Sequence, residues 1–351
     1  MHFGTSGSGK TTLLGLLIEE ILLNISNAQI ILLDLNSDFA KFNQLRPEPD
    51  VNSDDNPCEK VNVDALRQQQ ETLQRLSLKL ITSPQTRMDR FVFSDLFQLE
   101  NVPYHFAVHS WFEYVCKHFT KDKPISPRAC EELLRKQIEH DQTFPPDREA
   151  AYPLQEEELK GRAILHNFFK RMKDAPIWPS ELTDSLDPLG SPDTFKFIEY
   201  NLGGLRFSHR AILAEAVLRS LWERNEKTRN RTFIIIDEAH NVAPAMPEEQ
   251  WQKGTLEWVN RISGEGRKYE LYLVLVSQRP AKIHPNALDS CRNFFVLKLQ
   301  NQDDLDSLSK STLDVSAKLI SRAAALRRHE ALIYGDLGPP AIIRTGRRRM
   351  K

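Results

Sequence analysis

Apolar positions in this chain follow two alternating patterns. Short, nearly continuous apolar runs cover Ala28–Asp34, Phe195–Leu202, Thr232–Ile236, Leu271–Ser277 and Asn293–Leu299. Each is too short for a stable helix, which is how a strand covered on both faces reads. Leu76–Thr82 and Arg90–Phe93 alternate well enough to be further strands. Helical patterns fall between them. Thr12–Leu23 is a dense apolar run suited to a buried helix, and Ile212, Leu213, Ala216, Val217 and Leu221 share one helical face, with Ser208 as its expected N-cap. A further helix is expected from about Gln252 to Arg267. Strands alternating with helices predict an α/β fold whose mostly parallel sheet is covered by helices on both faces.

The middle of the chain is different. From Val102 to about Pro176 the pattern is helical: Val108, Trp111, Phe112, Val115, Cys116 and Phe119 fall on one face, as do Ile164, Leu165, Phe168, Phe169 and Met172. Pro145, Pro146 and Pro153 punctuate this stretch, and Arg46–Pro57 reads as an exposed loop. The expected organisation is therefore residues 1–101 as the first part of a core, 102–194 as a helical insertion, and 195–351 as the second part with a tail.

The first residues carry the chemistry. Gly4-Thr5-Ser6-Gly7-Ser8-Gly9-Lys10-Thr11 matches the phosphate-binding pattern G-x-x-x-x-G-K-[ST], and Thr12 opens the apolar helix behind it. Small residues let backbone N–H groups converge on a phosphate chain at a helix N-terminus. Lys10 supplies a point charge for the β- and γ-phosphates and Thr11 a hydroxyl for Mg²⁺. A nucleoside triphosphate is the expected ligand. Only Met1, His2 and Phe3 precede the loop, where a buried strand normally runs about five or six residues. Either a very short strand suffices or the chain is the C-terminal part of a longer one, and the second is expected.

Phe233 to Ile236 run into Asp237 and Glu238, placing two carboxylates at the end of a buried strand, where ligands bind in open α/β sheets. Asp237 is expected to hold Mg²⁺ through water, and Glu238 to deprotonate the attacking water. Gln278, at the end of the next strand, is placed to touch both the γ-phosphate and that water. Arg267, in Gly264-Glu265-Gly266-Arg267-Lys268-Tyr269, has three readings: a helix cap, a solvated charge, or a finger reaching a neighbouring subunit's γ-phosphate. Spacing alone favours the first two.

Composition narrows the class. Lys and Arg total 47 against 48 Asp and Glu, so the chain as a whole is no polycation, although a local basic patch is compatible with that balance. Four scattered cysteines, Cys58, Cys116, Cys130 and Cys291, lack metal-site spacing and point to a reducing, cytoplasmic setting. No apolar run has membrane-spanning length. The basic end, Arg344 to Lys351, is expected to be a solvated tail.

The set G-T-S-G-S-G-K-T, I-I-I-D-E-A-H, G-E-G-R-K-Y and V-L-V-S-Q-R-P, in this order, resembles the HerA branch of the HerA/FtsK superfamily of ring-forming, DNA-pumping ATPases. That resemblance implies a RecA-like P-loop core and a homo-hexamer with ATP and Mg²⁺ between subunits. It further implies Glu238 as base, Gln278 as sensor, Arg267 as a finger acting in trans, and double-stranded DNA in a central channel. Asp34 matches an acidic position in the family's D-x-x-x-[DE]-[FY] turn, here Asp34 to Phe39. Arg279, Lys282 and Arg292 are candidates for channel contacts. Members carry an N-terminal β-barrel before the P-loop and work with a partner nuclease or another effector, in some bacteria in anti-phage defence. An alternative is therefore a nucleotide-dependent scaffold that activates such an effector. Leu202-Gly203-Gly204-Leu205 resembles the signature of ABC-type ATPases only imperfectly and is expected to be a turn after a strand.

Overall fold

Strands buried on both faces require helices on both faces, and the sheet has them. In the computed structural model the described residues are 2–5, 7–44, 63–76, 78–81, 104–118, 126–143, 156–173, 195–248, 250–311, 315–346 and 348–350. The expected strand at Arg90–Phe93 and the loop Arg46–Pro57 lie outside them.

The strands are β1 (His2–Phe3), β2 (Gln29–Asp34), β3 (Leu78–Ile81), β4 (Phe197–Asn201), β5 (Thr232–Ile236), β6 (Leu271–Ser277), β7 (Asn293–Val296), β8 (Glu330–Gly335) and β9 (Gly338–Arg344). They form one sheet in the order β3-β4-β2-β5-β6-β1-β7-β8-β9. The pairings from β3 through to β7 are parallel, and β8 and β9 add an antiparallel hairpin. The run-on apolar sequence of the central strands follows from this topology. Ile31 and Leu33 enter one buried cluster together with Ile234 and Ile236, while Ile30, Leu32 and Ile235 enter another on the opposite face. Burying each such side chain contributes about 1.5–3 kcal/mol.

The pairing of β1 continues beyond its two residues. His2 and Phe3 pair with Val276 and Ser277 on one side and with Phe295 and Val296 on the other. The N–H of Leu297 then donates to the carbonyl of Phe3, and that of Thr5 to Lys298.

The helices that matter here are α1 (Lys10–Asn24), α2 (Val63–Gln74), α3 (His105–Lys117), α4 (Pro127–Thr143), α5 (Glu156–Met172), α6 (Phe207–Thr228) and α7 (Gln250–Glu265). The expected face of α5 is buried at Leu165, Phe168, Phe169 and Met172, and that of α3 at Val108, Phe112 and Val115. These side chains continue the same cluster as the sheet face, so α3, α4 and α5 are packed into the core. At Gly161 of α5 an added Cβ would lie 2.6 Å from that of Ala107, so α3 and α5 approach closely there.

Three local expectations change. Ser208 is not the cap of α6: the helix starts at Phe207, Arg206 occupies the cap position in an extended conformation, and no side chain caps the end. The helix expected to run to Arg267 ends at Glu265, and Gly266–Tyr269 form a 3₁₀ turn that holds Arg267. The expected solvated tail is docked instead. Arg349 and Met350 donate their backbone N–H groups to the fully buried carboxylate of Glu19 on α1, and the Arg349 guanidinium pairs with Glu19 at 3.1 Å and Glu20 at 2.9 Å. Met350 enters the cluster of Leu14, Ile18, Phe39 and Phe42, and Arg348 lies over the Phe39 and Phe42 rings. A buried carboxylate on an otherwise apolar helix needs a cationic partner, and the tail's arginine supplies it.

Candidate functional site

The loops after β1, β2, β5 and β6 all leave the C-terminal edge of the parallel sheet, which brings the sequence motifs together. After β1, the phosphate loop is closed by the Ser8 hydroxyl donating to the Thr5 carbonyl at 2.7 Å, and Thr5 is tied to Lys298 beyond β7. Gly9 has φ +105, a left-handed conformation that glycine adopts without strain. At Gly4 an added Cβ would lie 2.5 Å from the Ser8 hydroxyl and 2.8 Å from Leu297, so a side chain there would fill the loop. Ser6 lies outside the described residues. Gly7, Ser8, Gly9, Lys10, Thr11 and Thr12 then lead into the first turn of α1 as the pattern requires. The Lys10 ammonium folds back on the Thr5 carbonyl at 3.3 Å. Burial lowers its pKa, opposed by the charges of Glu238, Asp237 and Asp38, which places those acids around it.

After β2, Asp34 accepts the N–H groups of Asn36, Asp38 and Phe39, fixing the expected turn. That turn aims Asp38 at Thr11, whose hydroxyl donates to it at 3.2 Å. The Gly203-Gly204 turn after β4 packs against it, Gly203 so closely that an added Cβ would lie 2.0 Å from the Ser37 hydroxyl.

After β5, Asp237 and Glu238 are both buried. Glu238 adopts φ +46, an unusual conformation for a residue with a side chain and a form of backbone strain that gathers at functional sites. Its carboxylate accepts the side-chain amide N–H of Gln278, which the parallel β5–β6 pairing puts alongside. His240 Nδ1 stands 3.3 Å from the same carboxylate and 3.1 Å from the Ser277 hydroxyl, and burial lowers the pKa of this imidazole. Burial and the neighbouring charges of Glu238, Asp34 and Asp38 push the Asp237 carboxyl up to about 7. Crowded carboxylates beside a threonine hydroxyl fit a divalent cation that also takes phosphate oxygens. The sequence motif would assign such a cation to Thr11 and Asp237, although the Thr11 hydroxyl here meets Asp38.

Arg267 is not brought to this site. It precedes β6 and so stands at the opposite, N-terminal edge of the sheet from Gln278, about 20 Å away along the seven-residue strand. There it borders an apolar cavity of about 620 Å³ between α1, β5–β7 and the end of α7, with Leu13, Leu17, Phe233 and Leu273 in its lining. The three basic channel candidates also separate. Arg279 and Lys282 are exposed on the loop after β6, at the site's edge of the sheet, whereas Arg292 precedes β7 and borders the Arg267 cavity. The loop after β6 is joined to the one after β5 by a Pro244–Ile283 bridge, and Met246, on the loop after β5, is 82% exposed.

Glu199 is a site-proximal residue that the sequence reading missed, because a lone Glu inside an apolar strand resembles an interruption. It is fully buried on β4. Burial first, then the nearby Asp34 charge, push it up to about 8. The ordinary glutamate value is near 4.3, so between the two values the folded protein keeps a proton that the unfolded chain releases. The associated stability is complete below about pH 4 and is lost as pH rises through about 8. Asp237 has the same sign. Melting temperature of the nucleotide-free protein is therefore expected to fall from pH 6 to pH 8.5, and Glu199→Gln to flatten that slope. Thermal denaturation across this range checks it, and an unchanged slope in the variant would remove Glu199 as the source.

The chain is similar to known proteins. Residues 3–175 match the family described as Helicase HerA, central domain, a match that runs from the phosphate loop through the inserted helices. A DNA double-strand break repair helicase HerA of Pyrococcus furiosus is 28% identical over 155 residues, 42% of this chain and 27% of that protein. A probable helicase of Methanocaldococcus jannaschii is 30% identical over 137 residues, 38% of this chain and 26% of that protein. The matched stretches thus span about a quarter of these relatives. Among solved structures, VirB4 of Thermoanaerobacter pseudethanolicus superposes with a TM-score of 0.62 at 15% identity, covering 98% of this chain and 88% of that one. The plasmid coupling protein TrwB, in complex with a non-hydrolysable ATP analogue, gives 0.62 at 14% identity, covering 99% and 85%. The fold is that of the RecA-like P-loop ATPases. No helix among the described residues is long and apolar enough to cross a membrane.

Proposed function

We propose that this chain, which belongs to the HerA branch of the HerA/FtsK superfamily, is an ATP-hydrolysing motor acting on double-stranded DNA. The observation that carries hydrolysis is the strained, buried Glu238 beside Asp237, its carboxylate held by Gln278 at the same sheet edge as Lys10. Binding alone needs the phosphate loop and Asp237. A second carboxylate held next to them has the geometry of a general base.

In this reading the loop N–H groups and Lys10 bind the phosphate chain, while Thr11 and Asp237 would hold Mg²⁺, whose charge would offset that of the phosphates. Glu238 takes the proton of the attacking water, and the Gln278 amide keeps Glu238 aimed and reports on the γ-phosphate. The ring, the finger role of Arg267, a partner nuclease or effector and a place in anti-phage defence belong to the same proposal, on the strength of family likeness. Arg279, Lys282 and Met246 on the bridged loops are the candidate DNA contacts.

The test is ATPase activity with and without duplex DNA, paired with DNA binding across salt concentrations. Phosphate contacts release counterions, so a motor of this kind binds more weakly as salt rises and hydrolyses faster with DNA. Hydrolysis indifferent to DNA, with binding indifferent to salt, would replace the motor with a nucleotide-dependent scaffold.

A further inference from the structure

His329, far from the motifs in sequence, stands against the phosphate loop. It lies in the turn before β8, and its backbone N–H donates to the Ser8 carbonyl at 3.2 Å. An added Cβ on Gly9 would lie 2.9 Å from His329 Nδ1, so the imidazole packs directly on the glycine that precedes Lys10. Its own carbonyl accepts from the backbone N–H and the hydroxyl of Thr345, which locks the turn to the end of β9.

Two features are not explained by packing. His329 has φ +65, where a glycine would sit without strain, so a side chain is kept at a position that disfavours it. The ring is also half-buried beside the exposed Arg328 and Arg344, yet no hydrogen bond joins it to any described residue. Burial and these two guanidinium groups hold the imidazole below its ordinary pKa. A neutral ring carries one N–H donor and one acceptor, and here it stands near two guanidinium groups against a loop whose pattern binds phosphate.

We propose that His329 is a further ligand-binding residue of the phosphate site, its imidazole N–H donating to the phosphate chain of the bound nucleotide. The inference rests on the nucleotide reading of the loop. Arg328 and Arg344 form the basic rim through which the polyphosphate enters, and the His329 backbone bond to Ser8 sets the distance between rim and loop.

Substituting His329 separates ring from backbone. His329→Gly removes the imidazole and relieves the left-handed strain, while keeping the N–H that bonds to Ser8. His329→Ala removes the imidazole and keeps the strain. His329→Asn restores a side-chain N–H donor in a residue that tolerates this conformation. Isothermal titration with ADP and with a non-hydrolysable ATP analogue should show affinity about three- to tenfold weaker for both the Gly and Ala variants, the range expected for one hydrogen bond, and largely recovered for Asn. Melting temperature should rise for Gly and fall or stay level for Ala, so loss of binding cannot be read as loss of folding. Wild-type affinity in the Gly variant would overturn the proposal, showing that the ring only packs. Loss in Ala with retention in Gly would also overturn it, assigning the effect to loop geometry. Wild-type protein that binds neither nucleotide would instead overturn the nucleotide reading itself, on which this inference depends.

Discussion

Glu238→Gln should lower the rate of ATP cleavage by about two to four orders of magnitude, the usual contribution of a positioned general base, while nucleotide still binds. The substitution is nearly isosteric, and Glu238 is enclosed by Gln278, His240 and the end of β5, so the amide has the same space and the fold should persist. What disappears is the ability to accept the proton of the attacking water. Lys10, the loop N–H groups, Thr11 and Asp237 remain. Single-turnover hydrolysis and equilibrium binding of a fluorescent ATP analogue, measured on the same preparation, separate the two steps. Asp237→Asn is the control, because it should weaken Mg²⁺-dependent binding. If Glu238→Gln loses binding while Asp237→Asn keeps it, the roles of the two acids are reversed.

The second large effect is expected at Arg267. Standing before β6, it lies at the sheet edge opposite the site of its own chain, so a same-chain contact with the γ-phosphate is not available without rebuilding the strand. A guanidinium exposed at that edge is free to meet the site of a neighbouring copy. Fingers of this kind contribute about 10³–10⁵ in rate where they have been measured. Arg267→Ala alone and Lys10→Ala alone should both be nearly inactive. Mixed together, they should recover activity, because some interfaces would join an intact phosphate loop to an intact arginine. Recovery should depend on protein concentration if the ring assembles from monomers. No gain in rings shown independently to be mixed would remove Arg267 from the site, and full activity of Arg267→Ala would move attention to Arg261 on α7.

Much of this was legible in the sequence for a physical reason. Central strand β2 is buried throughout, and β5 and β6 are buried toward their C-terminal ends, so their apolar runs are unbroken and their ends are marked by Asp34, Asp237 and Gln278. The phosphate loop was legible because its glycines serve the backbone, and a backbone requirement leaves a fixed pattern. The antiparallel hairpin β8–β9 was missed. Its outer strand is exposed throughout and carries Pro339 and Pro340, which an edge strand tolerates and a sequence pattern reads as loop. Glu199 and His329 were missed because each gains its role from a contact distant in sequence. Glu199 reaches Asp34 across the strand pair, and His329 reaches Ser8 and Gly9 across more than 300 positions. The tail was misread for the same reason, since its basic residues looked solvated until Glu19 was seen to be buried and facing them.

The docking of Arg348–Met350 on α1 also sets an order of events during synthesis. Helix α1 leaves the ribosome with Leu14, Ile18 and Glu19 in place, but Met350 and Arg349, which cover them, follow more than 300 residues later. At roughly 5–20 residues per second that interval is on the order of 15 to 70 s. Throughout it the nascent chain carries an apolar helix face with an unpaired carboxylate, a surface suited to chaperone capture. Strand β1 waits as well, since both of its neighbours, β6 and β7, are late. Helix α1 is thus covered only once residues 348–350 have been made, and the closure of the phosphate-loop helix waits on a segment more than 300 positions downstream.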